Sequence, residues 1–308
     1  MNFKNKEFVP VMLTPFSSSG EIDFNSLTEL TEFYIKSGAS GLFSNCLSSE
    51  MFELSEKERM QIVRHVVTVA GGAVRVVAAG TFGGSITDQA DFVKKIYESG
   101  ADAVIVLANM LAKQTDPDEV FNSNMFRLLE LTGDIPMGFY ECPEPYKRLI
   151  SFDQLKLFAG TKRIIYHKDT CLDIEQVKLK LQAVCNTDLG LYDAYMAHAV
   201  ASLKAGSAGL SCIQGNYWPE LIVWLCENFN NSSLTHEVDK VQQFIIENMD
   251  VMHFGYPVTA KYYLGKRGLH LSTYSRRKVE DFTTEIRNNI NQLSEDYKNL
   301  VNSLDISF

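Results

Sequence analysis

Short apolar runs alternate along this chain with longer stretches in which apolar residues recur at helical spacing. The runs cover residues 8–14, 41–45, 74–80, 103–107, 136–140, 163–168, 188–193 and 208–212. They are short and lack a period-two polar face, the pattern of strands covered on both sides. Between them the apolar positions return every three or four residues. Over 24–36, Leu27, Leu30, Phe33 and Tyr34 form one stripe, and over 85–98 Phe92, Val93, Ile96 and Tyr97 form another. Asp23, Ser55, Ser85, Asp116 and Ser151 stand where helix N-caps are needed.

A local pattern recurs at 37–42, 99–104 and 205–210: a helix end, a glycine, a small residue and an apolar strand. Glycine there supplies the left-handed residue that closes a helix. Three copies of one helix-to-strand joint predict repeated βα units and a parallel sheet. Eight strands within about 230 residues predict an α/β fold of the closed (β/α)₈ TIM-barrel type, the usual size for that architecture. No G-x-G-x-x-G follows the first strand, which disfavours an open dinucleotide-binding sheet. After Phe229 the strands stop, and 234–253, 256–265 and 275–302 read as helices. The chain therefore divides into a barrel, 1–230, and a C-terminal helical extension, 231–308, with the polar stretch 230–233 at the boundary.

Composition narrows the classes of function. The 308 residues are 45% hydrophobic and 22% charged, an ordinary globular balance. A net charge of -9 disfavours nucleic acid as a partner. The basic cluster Arg276, Arg277, Lys278 reads as the polar end of a helix. Six cysteines, at 46, 142, 171, 185, 212 and 226, form no C-x-x-C pair and read as reduced thiols. Residues 1–8 hold charges and no apolar core of a signal peptide, and no apolar run reaches transmembrane length. The expectation is a cytoplasmic protein without a membrane partner.

Barrels of this type carry their chemistry at the C-terminal ends of the strands. Lys168 ends the sixth run. A buried lysine loses charge readily, and a neutral amine is the form that attacks a carbonyl to make a Schiff base. An ion pair with Asp169 is the alternative reading. Tyr140 ends the neighbouring fifth run, within reach as a proton shuttle, or else as a packed tyrosine. Leu47, Ser48, Ser49 and Glu50 follow the second run, where hydroxyls and turn N–H groups suit a carboxylate, although a capping loop has the same composition. Strand alternation turns His167 away from Lys168, as a satisfied core histidine. Cys46, Cys142, Cys171 and Cys212 fall near strand ends without the spacing of metal ligands.

Leu13-Thr-Pro-Phe16, Gly20-Glu-Ile-Asp23, the Leu54–Arg59 helix start, Gly100-Ala-Asp-Ala-Val104, the Phe139–Pro143 segment and Lys168-Asp169 with Asp173 occur in this order. In order and spacing the chain, over 9–271, resembles the dihydrodipicolinate synthase / N-acetylneuraminate lyase family of class I aldolases. The resemblance implies that Lys168 is the Schiff-base lysine and Tyr140 a proton relay. It places Leu47, Ser48 and Ser49 on the loop that holds a keto acid's carboxylate, and Ser211 where the eighth strand lines the pocket. It implies no metal or cofactor and a homotetramer or homodimer. The chain departs from the family at several positions. A relay threonine is Leu47, a relay tyrosine from a neighbouring subunit is Leu111, and a substrate-binding arginine falls at Pro145, with Lys147 and Arg148 nearby. The expected function is a Schiff-base-forming lyase or aldolase acting on pyruvate or a related 2-keto acid. The alternatives are a keto-deoxy-sugar-acid dehydratase or decarboxylase, and an inactive paralogue that binds a small acid.

Overall fold

A computed structural model of the chain describes residues 6–304. Residues 1–5, part of the charged N-terminal stretch, and 305–308 lie outside the described residues. Eight parallel strands alternate with helices: β1 Glu7–Phe8, α1 Phe24–Lys36, β2 Gly41–Ser44, α2 Glu56–Ala70, β3 Arg75–Ala79, α3 Ile86–Glu98, β4 Ala103–Leu107, α4 Asp118–Leu131, β5 Met137–Tyr140, α5 Phe152–Ala159, β6 Ile164–Asp169, α6 Ile174–Val184, β7 Gly190–Asp193, α7 Ala199–Ala205, β8 Gly209–Leu210 and α8 Pro219–Asn228. From β2 to β8 each strand pairs in parallel with the next, and β1 pairs with β8. The ring closes between β1 and β2 through the Val11–Phe43 bridge, with Ser40 N donating to Phe8 O and Phe43 N to Pro10 O, both at 2.9 Å. The expected TIM barrel is the fold observed.

The joints behave as their composition predicts. Gly38, Gly100 and Gly206 all take left-handed backbone, with φ of 90°, 102° and 111°. The Asp23 carboxylate accepts from the N–H groups of Asn25 and Ser26, and Ser55, Ser85 and Ser151 form capping boxes. Asp116 does not cap a helix. Its carboxylate accepts instead from Lys113 N at 2.8 Å, closing a turn, and α4 starts after Pro117. The first run forms a regular strand only at its start, within Glu7–Phe8; at Pro10, which has no N–H to donate, it leaves β8 and pairs further on with Phe43 of β2. At β8 a side chain on Gly209 would put Cβ 1.8 Å from Glu7 O, so the approach of β8 to β1 requires glycine.

The barrel interior is packed by Val11, Phe43, Val77, Ile105, Tyr166, Tyr192 and their neighbours. Two further apolar clusters fill the space between strands and helices. After α8 come α9 Thr235–Glu247, α10 Met249–His253, α11 Val258–Lys266 and α12 Thr284–Leu304. The helix expected over 234–253 breaks at Asn248, whose amide donates to Phe244 O at 2.8 Å. The helix expected from residue 275 begins only at Thr284. The N–H groups of Arg276 and Arg277 are bound by the Glu50 carboxylate at 2.7 and 3.0 Å, which holds this segment in a non-helical course across the barrel mouth.

Candidate active site

The strand ends and the C-terminal segments enclose a cavity of about 370 Å³, whose lining includes Leu47, Ser48, Tyr140, Lys168, Tyr256 and Arg277. Tyr140 and Lys168 are register partners across β5 and β6, so both side chains enter the barrel from one level. Lys168 is 4% exposed. Its Nζ lies 4.3 Å from the centroid of the Tyr140 ring and 5.8 Å from that of Phe43. Among the described residues it has no ion-pair partner. The alternative pairing with Asp169 does not form, because strand alternation sends Asp169 to the other face, where it meets Lys180. Burial holds the Lys168 pKa below the ordinary lysine value, and that of the Tyr140 phenol well above its own. The pair thus combines an amine that sheds its proton readily with a phenol that keeps one to donate.

The loop after β2 divides its residues between two tasks. Leu47–Ser49 form one 3₁₀ turn, and Leu47 and Ser48 face the cavity. The Ser49 hydroxyl is turned away, donating to Met12 O at 2.6 Å and accepting from Cys46 N at 3.1 Å. Glu50 takes left-handed backbone (φ 57°) and is fully buried. Besides the two N–H groups already described, its carboxylate accepts from Lys261 Nζ at 2.6 Å and the Ser275 hydroxyl at 2.9 Å. Arg276 and Arg277 are therefore not a helix end. Arg276 pairs with Glu58 at 2.7 Å, while Arg277 pairs with Glu144 and reaches the cavity. Ser211 does not line the cavity: it is fully buried, its hydroxyl bonded to Tyr166 OH at 3.1 Å, and the residues after it, Cys212, Ile213 and Gln214, take part in the lining instead. Leu111 is buried in the layer between barrel and helices. Arg148 is spent on Lys113 O, Asp116 O and Asp118, and Lys147 on Thr170 O, so neither replaces the missing arginine in the cavity.

Behind the barrel wall, the residues next to the Lys168–Tyr140 pair form a buried charged group. Lys180 Nζ, on α6, sits 2.6 Å from Glu141 Oε1 and 2.6 Å from Asp169 Oδ2. Glu141 also accepts from Ile150 N and Thr170 N, each at 2.9 Å, and Asp169 from Cys171 N at 2.8 Å. His167 faces this group, as alternation predicts, but it is not satisfied. Its Nε2 lies 3.4 Å from Asp169 and 3.6 Å from Glu141, and neither ring nitrogen makes a hydrogen bond. Burial raises the Asp169 pKa, but His167 and the Lys180 ammonium outweigh it and hold the carboxyl below its usual range. Glu141, His167 and Asp169 are close enough to share a cation, and the Lys180 ammonium occupies that place. No cysteine belongs to such a group among the described residues. Burial pushes the Cys142 thiol up to about 11 and Cys212 to about 12, so both stay protonated.

The sequence reading missed Tyr256, His253, Met249 and Arg277, which reach the cavity from beyond the barrel with no local pattern to mark them. Lys180 did leave a signal. It lies on the buried stripe of α6 with Val177 and Val184, where a lone charge needs a partner.

Comparison with known proteins places these observations in a family. The model of the dihydrodipicolinate synthetase family matches residues 4–296. A 4-hydroxy-tetrahydrodipicolinate synthase of Pseudoalteromonas atlantica is 26% identical over 285 residues, covering 92% of this chain and 94% of that protein. The crystal structure of a dihydrodipicolinate synthase from Bacillus anthracis superposes with a TM-score of 0.85 at 20% identity, covering 95% of this chain and 98% of the other. A synthase from Acinetobacter baumannii, solved in complex with pyruvate, superposes with a TM-score of 0.84 at 19% identity, covering 96% and 99%.

Proposed function

The chain belongs to the dihydrodipicolinate synthetase family, and from that premise we propose that it is a lyase of the class I aldolase type, in which Lys168 forms a Schiff base with pyruvate or a related 2-keto acid. The observation that carries this reading is the Lys168 amine itself: buried, without a counter-charge among the described residues, and set against the Tyr140 ring at the mouth of the barrel. A carbonyl carbon entering the cavity meets the amine, and the Tyr140 hydroxyl serves the proton transfers that turn carbinolamine into imine.

The lining fits an acid. It contains the Arg277 guanidinium, which pairs with Glu144 on one side and reaches the cavity on the other, and no carboxylate, in a chain whose net charge is -9. Ser48 and the turn N–H groups beside it serve the carboxylate next to the keto carbon, and Arg277 serves an anionic group at the far end of the substrate. Leu172, Ile213 and Met249 supply apolar wall between them. Leu47 places a methyl-ended side chain where the family has a hydroxyl, which favours one second reading: a site that binds a small acid without turning it over. No helix among the described residues is long and apolar enough to cross a membrane. A cytoplasmic homotetramer or homodimer is the assembly we propose on the family resemblance, measurable by sedimentation.

The test is to treat the protein with pyruvate and borohydride, which reduces an imine to a stable amine, and to locate the added mass by peptide mapping. A single adduct on Lys168, absent from Lys168→Ala, is expected. A folded protein that yields no adduct with pyruvate or with larger keto acids overturns the reading.

A further inference from the structure

Imine formation needs more than one proton transfer. As the C–N bond forms and the carbonyl π bond breaks, the oxygen must gain a proton. As the C–O bond breaks, that oxygen leaves as water with two protons: the neutral amine gives up one, the protonated imine keeps the other, and the second proton of the water comes from outside the Lys168–Tyr140 pair. A buried phenol can pass the amine's proton to the oxygen, but the proton from outside must reach it through a neighbour. We propose that Tyr256, delivered from the segment between α10 and α11, is that neighbour and acts as a second proton-relay residue of the site. This rests on the imine reading above.

Three observations carry it. Tyr256 lines the same cavity as Tyr140, Lys168 and Ser48, although it lies 116 positions beyond Tyr140 in the chain. Its hydroxyl oxygen accepts a hydrogen bond from Asn216 Nδ2 at 2.6 Å. The direction of that bond is settled by the rest of the amide. Nδ2 also donates to Val11 O at 2.9 Å, a group that can only accept, and Oδ1 takes the Tyr34 hydroxyl proton. Asn216 is fully buried, and the flipped amide would set its oxygen against the Val11 carbonyl, so its partners fix the orientation. With its oxygen accepting from Asn216, the Tyr256 hydroxyl turns its own proton elsewhere. No acceptor for it occurs among the described residues, which leaves the cavity as its direction; burial holds the Tyr256 pKa well above that of an ordinary phenol, so the proton is kept until it is called for, and the Ser48 hydroxyl acts against that rise. A hydrogen bond donated to a phenol oxygen also stabilises the charge that forms when the proton leaves.

Tyr256 therefore stands as donor to Tyr140 once Tyr140 has protonated the departing oxygen. Ser48, which lines the same cavity, passes the proton inward from solvent. A hydroxyl supplied by the same chain completes the relay with Leu47 and Leu111 carrying none.

Tyr256→Phe removes only the hydroxyl and keeps the ring in its packing. The expected result is an adduct still on Lys168, formed about 10- to 100-fold more slowly at saturating pyruvate. The half-saturating pyruvate concentration should change less than about twofold, since the phenol acts in proton transfer and not in binding. Deuterium exchange at the pyruvate methyl group, which reports passage through the imine without a second substrate, should slow in parallel. Asn216→Ser, which lacks the fixed donor, should slow both rates in the same direction by a smaller factor. A Tyr256→Phe protein that traps pyruvate at the wild-type rate overturns the role of Tyr256 and leaves the imine reading standing. A wild-type protein that traps no keto acid overturns both.

Discussion

At the scale of single residues, the proposed site depends on one amine and one phenol whose acidities move in opposite directions for the same reason. Burial penalises the charged form of each, so Lys168 is held below the ordinary lysine pKa and Tyr140 above that of an ordinary phenol. The sign gives a pH dependence. The neutral amine grows as pH rises, and it does so earlier than for an exposed lysine, so the trapping rate should climb with pH and level off at a midpoint below 10.5. A midpoint at the ordinary lysine value in a rate–pH profile would show that the amine is not desolvated. Tyr140→Phe keeps the ring against the amine and removes the proton. It should slow trapping by about 10²- to 10⁴-fold, the scale of a general acid–base group, and stopped-flow or quenched trapping measures it. Both residues are legible in the amino-acid sequence, because a lysine and a tyrosine at the ends of adjacent buried strands carry an electrostatic cost that asks for a purpose. Arg277 and Tyr256 are not, because nothing in their neighbours distinguishes an arginine or tyrosine that folds back onto a cavity from one that faces water.

At the scale of elements, β5 and β6 carry the pair, and α6 holds them together. Alternation points Tyr140 and Lys168 inward and the next residues, Glu141 and Asp169, outward to Lys180. Replacing Lys180 by Met leaves two carboxylates buried without a cation, a change that costs about 3–5 kcal/mol. The loss should show as a lower urea midpoint. Adding Glu141→Gln and Asp169→Asn to that variant removes the stranded charges and should recover most of the stability. The depressed Asp169 pKa fixes the pH sign. Its contribution is present above the unfolded carboxylate pKa and is lost as pH falls through the folded one. Helix limits are legible where caps mark them, as at Asp23 and Ser85. They are not where a tertiary contact competes, as at residues 275–283, whose N–H groups at Arg276 and Arg277 serve Glu50.

At the scale of the whole molecule, the C-terminal helices share the core of the barrel. Trp218, just before α8, is fully buried. Its indole N–H donates to Tyr263 OH at 2.6 Å, and its ring stacks on Tyr297 with centroids 5.4 Å apart. Trp218→Ala should cost about 3–5 kcal/mol, as other large core truncations do. In the wild type, probes placed in barrel and extension should unfold together; two separate transitions in a denaturant titration would show that the extension is independent. The eight strands, their parallel order and the buried lysine that ends the sixth were all settled locally, by hydrophobic period, by glycine at the joints and by the cost of burying an amine. The shape of the cavity was not. Its far wall comes from Met249, His253, Tyr256 and Arg277, which are brought to the strand ends by the buried Glu50–Lys261 pair and by helix packing over more than 200 residues of separation. Periodicity reports which face of a segment is buried, and only the packed structure decides what that face is buried against.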